Sequence, residues 1–161
     1  MREKNQQERQ DSANVIFWPP AIYLVPLAVG LIAHGIYPVR LLAEGLGLFL
    51  IGLFFVAIGL VVVLWAERTM HSVGTTPNPF KPTTAIVTSG PYRVTRNPMY
   101  LSMVLFYLGL TLMFNALWPL LLFPLVLGVM TYGVIRREER YLERKFGEVY
   151  VDYKSRVRRW I

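Results

Sequence analysis

Cysteine is absent from all 161 residues. That excludes disulfides, thiolate metal sites and thiol nucleophiles. Histidine is nearly absent: His34 and His71 are too few for a histidine metal cluster, and no metal is expected. Acids are scarce, 10 Asp/Glu against 17 Lys/Arg, which leaves a formal net charge of +7. An excess of this sign suits either nucleic acid or an anionic membrane surface. The 54% hydrophobic content and mean hydropathy of +0.40 select the membrane, so no nucleic-acid partner is expected. Met1–Ser12 is too polar to open a cleavable signal peptide, and the apolar stretch after it lacks a small-residue cleavage site.

Charge itself is missing from Asn97 to Ile135, a run of 39 residues. As one helix at about 1.5 Å per residue it would reach about 58 Å, roughly twice the hydrocarbon core of a bilayer. The run is therefore expected to fold back as a membrane hairpin, bringing the segments at its two ends to the same side. The whole chain reads as one all-α integral membrane domain, residues 1–161, with four transmembrane helices. A polar tail (1–15) precedes two spans (17–66), about Phe17–Ala33 and Leu42–Ala66, the second with Glu44 near one interface. A loop (67–98) leads to the hairpin (99–135), about Met99–Phe114 and Leu120–Ile135, with Asn115–Pro119 as its turn. Pro19, Pro20 and Pro26 are expected to make the first span irregular.

Lys and Arg gather at one end of this topology. The tail carries Arg2, Lys4 and Arg9, the loop Arg68, Lys81, Arg93 and Arg96, and the C-terminal segment nine more from Arg136 to Arg159. The two opposite turns offer only Arg40. Both termini and the loop are thus expected in the cytoplasm. Gly45, Gly52 and Gly59 recur every seven residues and share one face of the second span, which favours close helix packing and also offers a surface for an oligomer. The 67–98 loop is too long for a plain connector and reads as a lid. Its Gly74-Thr75-Thr76-Pro77-Asn78-Pro79 stretch forbids a regular helix there. Residues 136–161 read as cytoplasmic helices: Glu138–Phe146 capped by Gly147, then an amphipathic helix with Val149, Tyr150, Tyr153 and Val157 on one face. That helix suits either the membrane surface or packing on the lid.

Two polar motifs flank the hairpin. Tyr92-Arg93-x-x-Arg96-Asn97-Pro98-Met99-Tyr100 enters it, and Glu138-Glu139 follows it. Interfacial anchoring accounts for arginine and tyrosine at this depth. It does not account for the two acids, which gain nothing from anionic lipid. Acids facing arginines among aromatic rings fit a cationic zwitterion such as S-adenosylmethionine, with its carboxylate, ammonium, ribose hydroxyls and adenine.

The run Thr88-Ser89-Gly90-Pro91-Tyr92-Arg93-x-x-Arg96-Asn97-Pro98-Met99-Tyr100 is followed by Glu138-Glu139-x-x-Leu142-x-x-x-Phe146-Gly147-x-x-Tyr150-x-x-Tyr153. Together they closely resemble the isoprenylcysteine carboxyl methyltransferase family and its phospholipid methyltransferase relatives, over about residues 70–161. The resemblance implies an integral membrane enzyme that methylates a lipophilic acceptor entering from the bilayer, with S-adenosylmethionine as cofactor. Carried over by position, Tyr92, Arg96, Asn97, Tyr100, Glu138, Glu139, Tyr150 and Tyr153 would hold the cofactor, and Arg93, Arg96 and Arg156 would carry catalysis by holding the acceptor. Many members have histidine where Asn97 stands; asparagine cannot titrate, which removes a general base from that position. The acceptor class stays open among carboxylates, phospholipid amines and small-molecule amines or thiols. Two other readings compete: an NADPH-dependent sterol-reductase-like membrane enzyme, and a non-enzymatic membrane protein whose charges merely pair.

Overall fold

The computed structural model describes residues 15, 18–43, 45–76, 78 and 81–161. The N-terminal tail, Phe17, Glu44, Pro77 and Pro79 lie outside the described residues, and so do the expectations placed on them. Among the described residues the regular elements are all helices, with α1 Pro19–Ile36, α2 Leu46–Ser72, α3 Pro98–Met113, α4 Leu117–Met130, α5 Arg136–Phe146 and α6 Glu148–Arg156. A 3-10 turn at Gly90–Arg93 precedes α3. A π-helical turn at Thr131–Ile135 joins α4 to α5 into one 30-residue rod.

Three of these helices are long and apolar enough to cross a membrane: α1, α2 and the Leu117–Phe146 rod. The third expected span, α3, is apolar but has only 16 residues, about 24 Å of helix against a core of about 30 Å. Boundaries shifted where apolar sequence and helix part company. Polar Glu67, Arg68 and His71 stay helical, so α2 runs on to Ser72 and the connecting loop begins at Val73 rather than at 67. Pro26 does not interrupt α1, which is continuous through Ile36. Pro119 sits within the first turn of α4, where its missing N–H costs no hydrogen bond, so the hairpin turn tightens to 114–116.

That turn is tied to the α1–α2 connection. Asn115 takes a left-handed φ of 48°, and its side-chain oxygen accepts the N–H groups of Leu41 (3.0 Å) and Leu42 (3.1 Å). Leu117 donates its N–H to the Val39 carbonyl, and the Trp118 indole donates to that of Tyr37. Both reversals therefore meet at one end of the bundle. The 73–97 loop, α5 and α6 lie at the other, where Val15 and Trp160 pack against the same core cluster.

Helix α3 lies along α2, and α1 lies along α4 and α3. Between apolar helices in lipid, close backbone approach and interhelical hydrogen bonds drive association. A Cβ on Gly52 would stand 2.5 Å from the Gly109 carbonyl oxygen, and one on Gly59 3.1 Å from that of Ser102. The glycine face is thus used inside the chain for α2–α3 packing, whereas Gly45 meets nothing within 4 Å. Tyr107 anchors the centre: its ring packs on Phe123 and Tyr23, and its hydroxyl donates 2.7 Å to the Pro119 carbonyl. The outer face of α2, including Phe49, Leu53, Phe54, Leu60 and Val61, is exposed apolar surface.

Gly147 ends α5 with φ of 55° and donates its N–H to Glu143, as the sequence predicts. Helix α6 then turns inward. Tyr150 and Tyr153 are buried, and the Tyr153 hydroxyl donates 2.7 Å to the Tyr92 carbonyl. The packing alternative for α6 therefore holds on its tyrosine face. Val149, expected on that face, is exposed instead: it stands one residue, about 100° of helix rotation, from Tyr150, and the two tyrosines set the buried side.

Candidate functional site

A cavity of about 380 Å³ opens at the end of the bundle opposite the two reversals. Four parts of the chain build it. The 3-10 turn and the start of α3 supply Tyr92, Arg96, Asn97, Tyr100 and Met103, and α5 with α6 supplies Glu138, Glu139, Leu142, Tyr150 and Tyr153. The loop contributes Thr76, Asn78, Thr83, Ala85, Ile86 and Val87, and the starts of α1 and end of α2 add Trp18, Pro19, Pro20 and Met70. Every residue that the resemblance assigned to the cofactor lines this one cavity. Arg93 does not: it is exposed on the 3-10 turn. Nor does Arg156, whose exposed guanidinium pairs with Asp152 along α6. Of the three arginines expected to carry catalysis, the geometry brings only Arg96 to the cavity.

The π turn bears on how the acids reach it. One wide turn adds a residue to the helical register. Val126, Met130, Val134 and Ile135 are buried ahead of it or within it, and the stripe resumes at Glu139 beyond. Glu139 is 6% exposed despite its charge. Such burial requires partners, and two arginines provide them. Arg159 grips it in a fork, Nε to Oε1 at 2.9 Å and Nη2 to Oε2 at 2.7 Å. Arg96 Nη1 stands 3.1 Å from Oε1. Arg96 is itself 8% exposed at the side chain, yet neither its Nε nor its Nη1 makes a hydrogen bond.

Glu138 occupies the other pole. Its Oε1 accepts the Tyr100 hydroxyl at 2.6 Å. It lies three residues beyond Ile135, where the uncharged stretch of the rod ends. Burial pushes its carboxyl up to about 7; the Tyr100 hydrogen bond opposes that rise and the neighbouring Glu139 charge adds to it. Burial likewise pushes the Tyr150 hydroxyl up to about 12 and raises those of Tyr92 and Tyr153, so these phenols stay neutral. The site is thus a chamber with a cationic pole at Arg96, a titratable acid at Glu138, and aromatic and apolar walls. A cationic zwitterion with a flat aromatic group fits that set: the Arg96 guanidinium, whose Nε makes no hydrogen bond, matches a carboxylate, Glu138 matches an ammonium or hydroxyls, and the walls match the ring.

Arg159 is the residue that sequence reasoning missed. It looked like one more charge on a basic tail, and no spacing rule links it to Glu139, twenty positions earlier. Asn97 also has a role that its motif did not reveal: its Nδ2 donates 2.9 Å to the Arg159 carbonyl.

Comparison with known proteins supplies the family. The family model described as phospholipid methyltransferase matches residues 48–149, more than half of the chain. An uncharacterized protein of Haemophilus influenzae is 47% identical over 63 residues, covering 39% of this chain and all of that protein. The cobalt-zinc-cadmium resistance protein CzcN of Cupriavidus metallidurans is 38% identical over 72 residues, 45% of this chain but only a third of its own length. No solved structure matches the chain significantly. With three apolar helices of spanning length and a family match that runs from α2 to the start of α6, this integral membrane protein belongs to the phospholipid methyltransferase family.

Proposed function

We propose that the chain is an S-adenosylmethionine-dependent methyltransferase acting on a lipophilic acceptor at the membrane, in the manner of isoprenylcysteine carboxyl methyltransferases. The observation that supports it best is the convergence of Tyr92, Arg96, Asn97, Tyr100, Glu138, Glu139, Tyr150 and Tyr153 on one cavity. Its volume of about 380 Å³ falls within the usual range for small-molecule sites, about 300–1,000 Å³. When bound, S-adenosylmethionine supplies an electrophilic methyl group on a sulfonium. Arg96 holds the carboxylate end through its buried guanidinium, whose Nε makes no hydrogen bond, and Glu138 holds the ammonium or ribose. The loop at Thr83–Val87 acts as a lid that excludes water. Catalysis in this reading is positioning: residues hold two partners from different phases in line, with little covalent work for the protein.

The topology that goes with this reading has four spans, with α3 the short one, and both termini and the cavity on the cytoplasmic side. The pairing of the two reversals at the far end of the bundle supports an even number of crossings. The acceptor then reaches the cavity from the bilayer past its apolar rim of Trp18, Pro19, Met70 and Met103.

A second reading of the acceptor, a phospholipid or small-molecule amine, draws on Glu138. A carboxyl near 7 can take the proton that an amine must lose, whereas a carboxylate acceptor needs no base. The deciding experiment has two steps. Calorimetric titration of S-adenosylhomocysteine into detergent-purified protein should show saturable binding, lost in Arg96→Ala. Methyl transfer from labelled cofactor to prenylcysteine-type carboxylates and to phosphatidylethanolamine then separates the acceptors. Absence of binding to folded wild-type protein sinks the methyltransferase reading, and NADPH becomes the next ligand to titrate.

A further inference from the structure

We infer that Arg159 is a positioning residue for the cofactor's anionic end, and that the C-terminal strap Val157–Ile161 is part of the binding site. The inference rests on the methyltransferase reading and concerns residues outside the family-matched segment, which ends at 149. Three groups meet at the cavity wall: Arg96 and Glu139, which line it, and Arg159 behind them. Two positive charges share one negative charge. Arg159 takes both carboxylate oxygens of Glu139, at 2.9 and 2.7 Å. A forked pair of this kind satisfies the acid in both charge and geometry. Arg96 is left with an ion-pair distance of 3.1 Å to Oε1 and with two buried donors, Nε and Nη1, that make no hydrogen bond. Leaving such donors empty in a buried site is costly, and an arriving carboxylate fills them.

Were Arg159 absent, Glu139 would be free to engage Arg96 fully, and the cavity would lose its unmatched cation. The strap is placed to prevent this. Arg96 donates its own N–H to the Arg158 carbonyl at 3.0 Å. The Arg159 carbonyl accepts from Thr95 Oγ1 at 3.1 Å and Asn97 Nδ2 at 2.9 Å. Three consecutive residues of the entry motif are thereby fastened to two consecutive residues of the strap. Backbone and side chain of Arg159 act together, one fixing the Arg96 segment and the other occupying the acid that competes for it.

The test uses two ligands that share the adenosine and thioether and differ at the amino-acid end: S-adenosylhomocysteine and 5′-methylthioadenosine. Both are titrated calorimetrically into the full chain in detergent. Arg159→Gln is expected to weaken S-adenosylhomocysteine by on the order of tenfold, the usual scale for one charge-assisted contact, while 5′-methylthioadenosine binds as in wild type. Arg159→Lys is expected to fall between, since an ammonium cannot make the fork. In a Glu139→Gln background the same Arg159→Gln change should have little further effect, because the competing charge is gone. Equal loss for both ligands, or no loss for either, overturns the inference while the methyltransferase reading stands. Failure of the wild-type chain to bind S-adenosylhomocysteine overturns that reading and this inference with it.

Discussion

The titration of Glu138 gives the sharpest prediction. Its carboxyl ionises at about 7 rather than at the ordinary 4.5. If the ionised form holds the cationic end of the cofactor, affinity must rise with pH through neutrality. For a group at 7, the ionised fraction is about 9% at pH 6 and about 91% at pH 8, a change of roughly tenfold. The dissociation constant of S-adenosylhomocysteine should fall by about that factor over the interval. Glu138→Gln should be weak and nearly flat across it, and it also controls for titration of the ligand itself. Tyr100→Phe makes the test specific. The Tyr100 hydroxyl at 2.6 Å lowers the Glu138 carboxyl against the effect of burial, so its removal should move the midpoint to higher pH. The sign for stability is opposite to that of a salt-bridged acid. A carboxyl whose folded value is raised stabilises the fold fully below about 4.5, loses that contribution as pH rises toward 7, and changes nothing above. Glu138→Gln should therefore raise the midpoint of thermal unfolding relative to wild type at pH 8 and give less advantage at pH 5. Flat wild-type affinity between pH 6 and 8, or a slope that persists in Glu138→Gln, would refute the role given to this acid.

Four further outcomes follow from the packing. Gly52→Ala puts a methyl 2.5 Å from the Gly109 carbonyl oxygen and should cost about 1–3 kcal/mol or prevent assembly of α2 on α3, whereas Gly45→Ala should be neutral in the same thermal assay. Tyr107→Phe removes the hydroxyl's hydrogen bond to the Pro119 carbonyl; a loss of about 0.5–1.5 kcal/mol is expected, with cofactor affinity unchanged. Asn115→Ala removes the acceptor of two backbone N–H groups and strains a left-handed residue, so it should lower the unfolding midpoint more than Asn115→Gly, which keeps the backbone relaxed. Arg93→Ala and Arg156→Ala divide resemblance from geometry. Their exposed positions predict wild-type methyl transfer from labelled cofactor, and a loss of transfer with S-adenosylhomocysteine affinity intact would return them to the acceptor side of the site.

How much of this was legible beforehand depended on the range of the interaction. The uncharged run from Asn97 to Ile135 and the Asn115–Pro119 turn are local features, and they located the hairpin to within a few residues. The Gly52 and Gly59 spacing announced close packing but could not say against what, because Gly109 and Ser102 lie across the helix pair. The end of α2 was misplaced since hydropathy reports where lipid stops, and a helix has no reason to stop there while backbone N–H groups and an i,i+4 pair such as Glu67 and His71 continue it. Among site residues, those carried by a motif were found as a set. Arg159 was not, and its case explains the limit. A pairing between an acid on α5 and an arginine on an extended strap has no period in sequence. It exists because α6 folds back on Tyr92 through Tyr153 and delivers the strap to Thr95–Asn97. The same fold-back explains why Arg156, closer to the tyrosine motif and the candidate that the resemblance named, points along the outside of α6 to Asp152. A basic segment thus contains one arginine that shapes the cavity and another that serves the surface, and only the path of the chain between Gly147 and Val157 separates them.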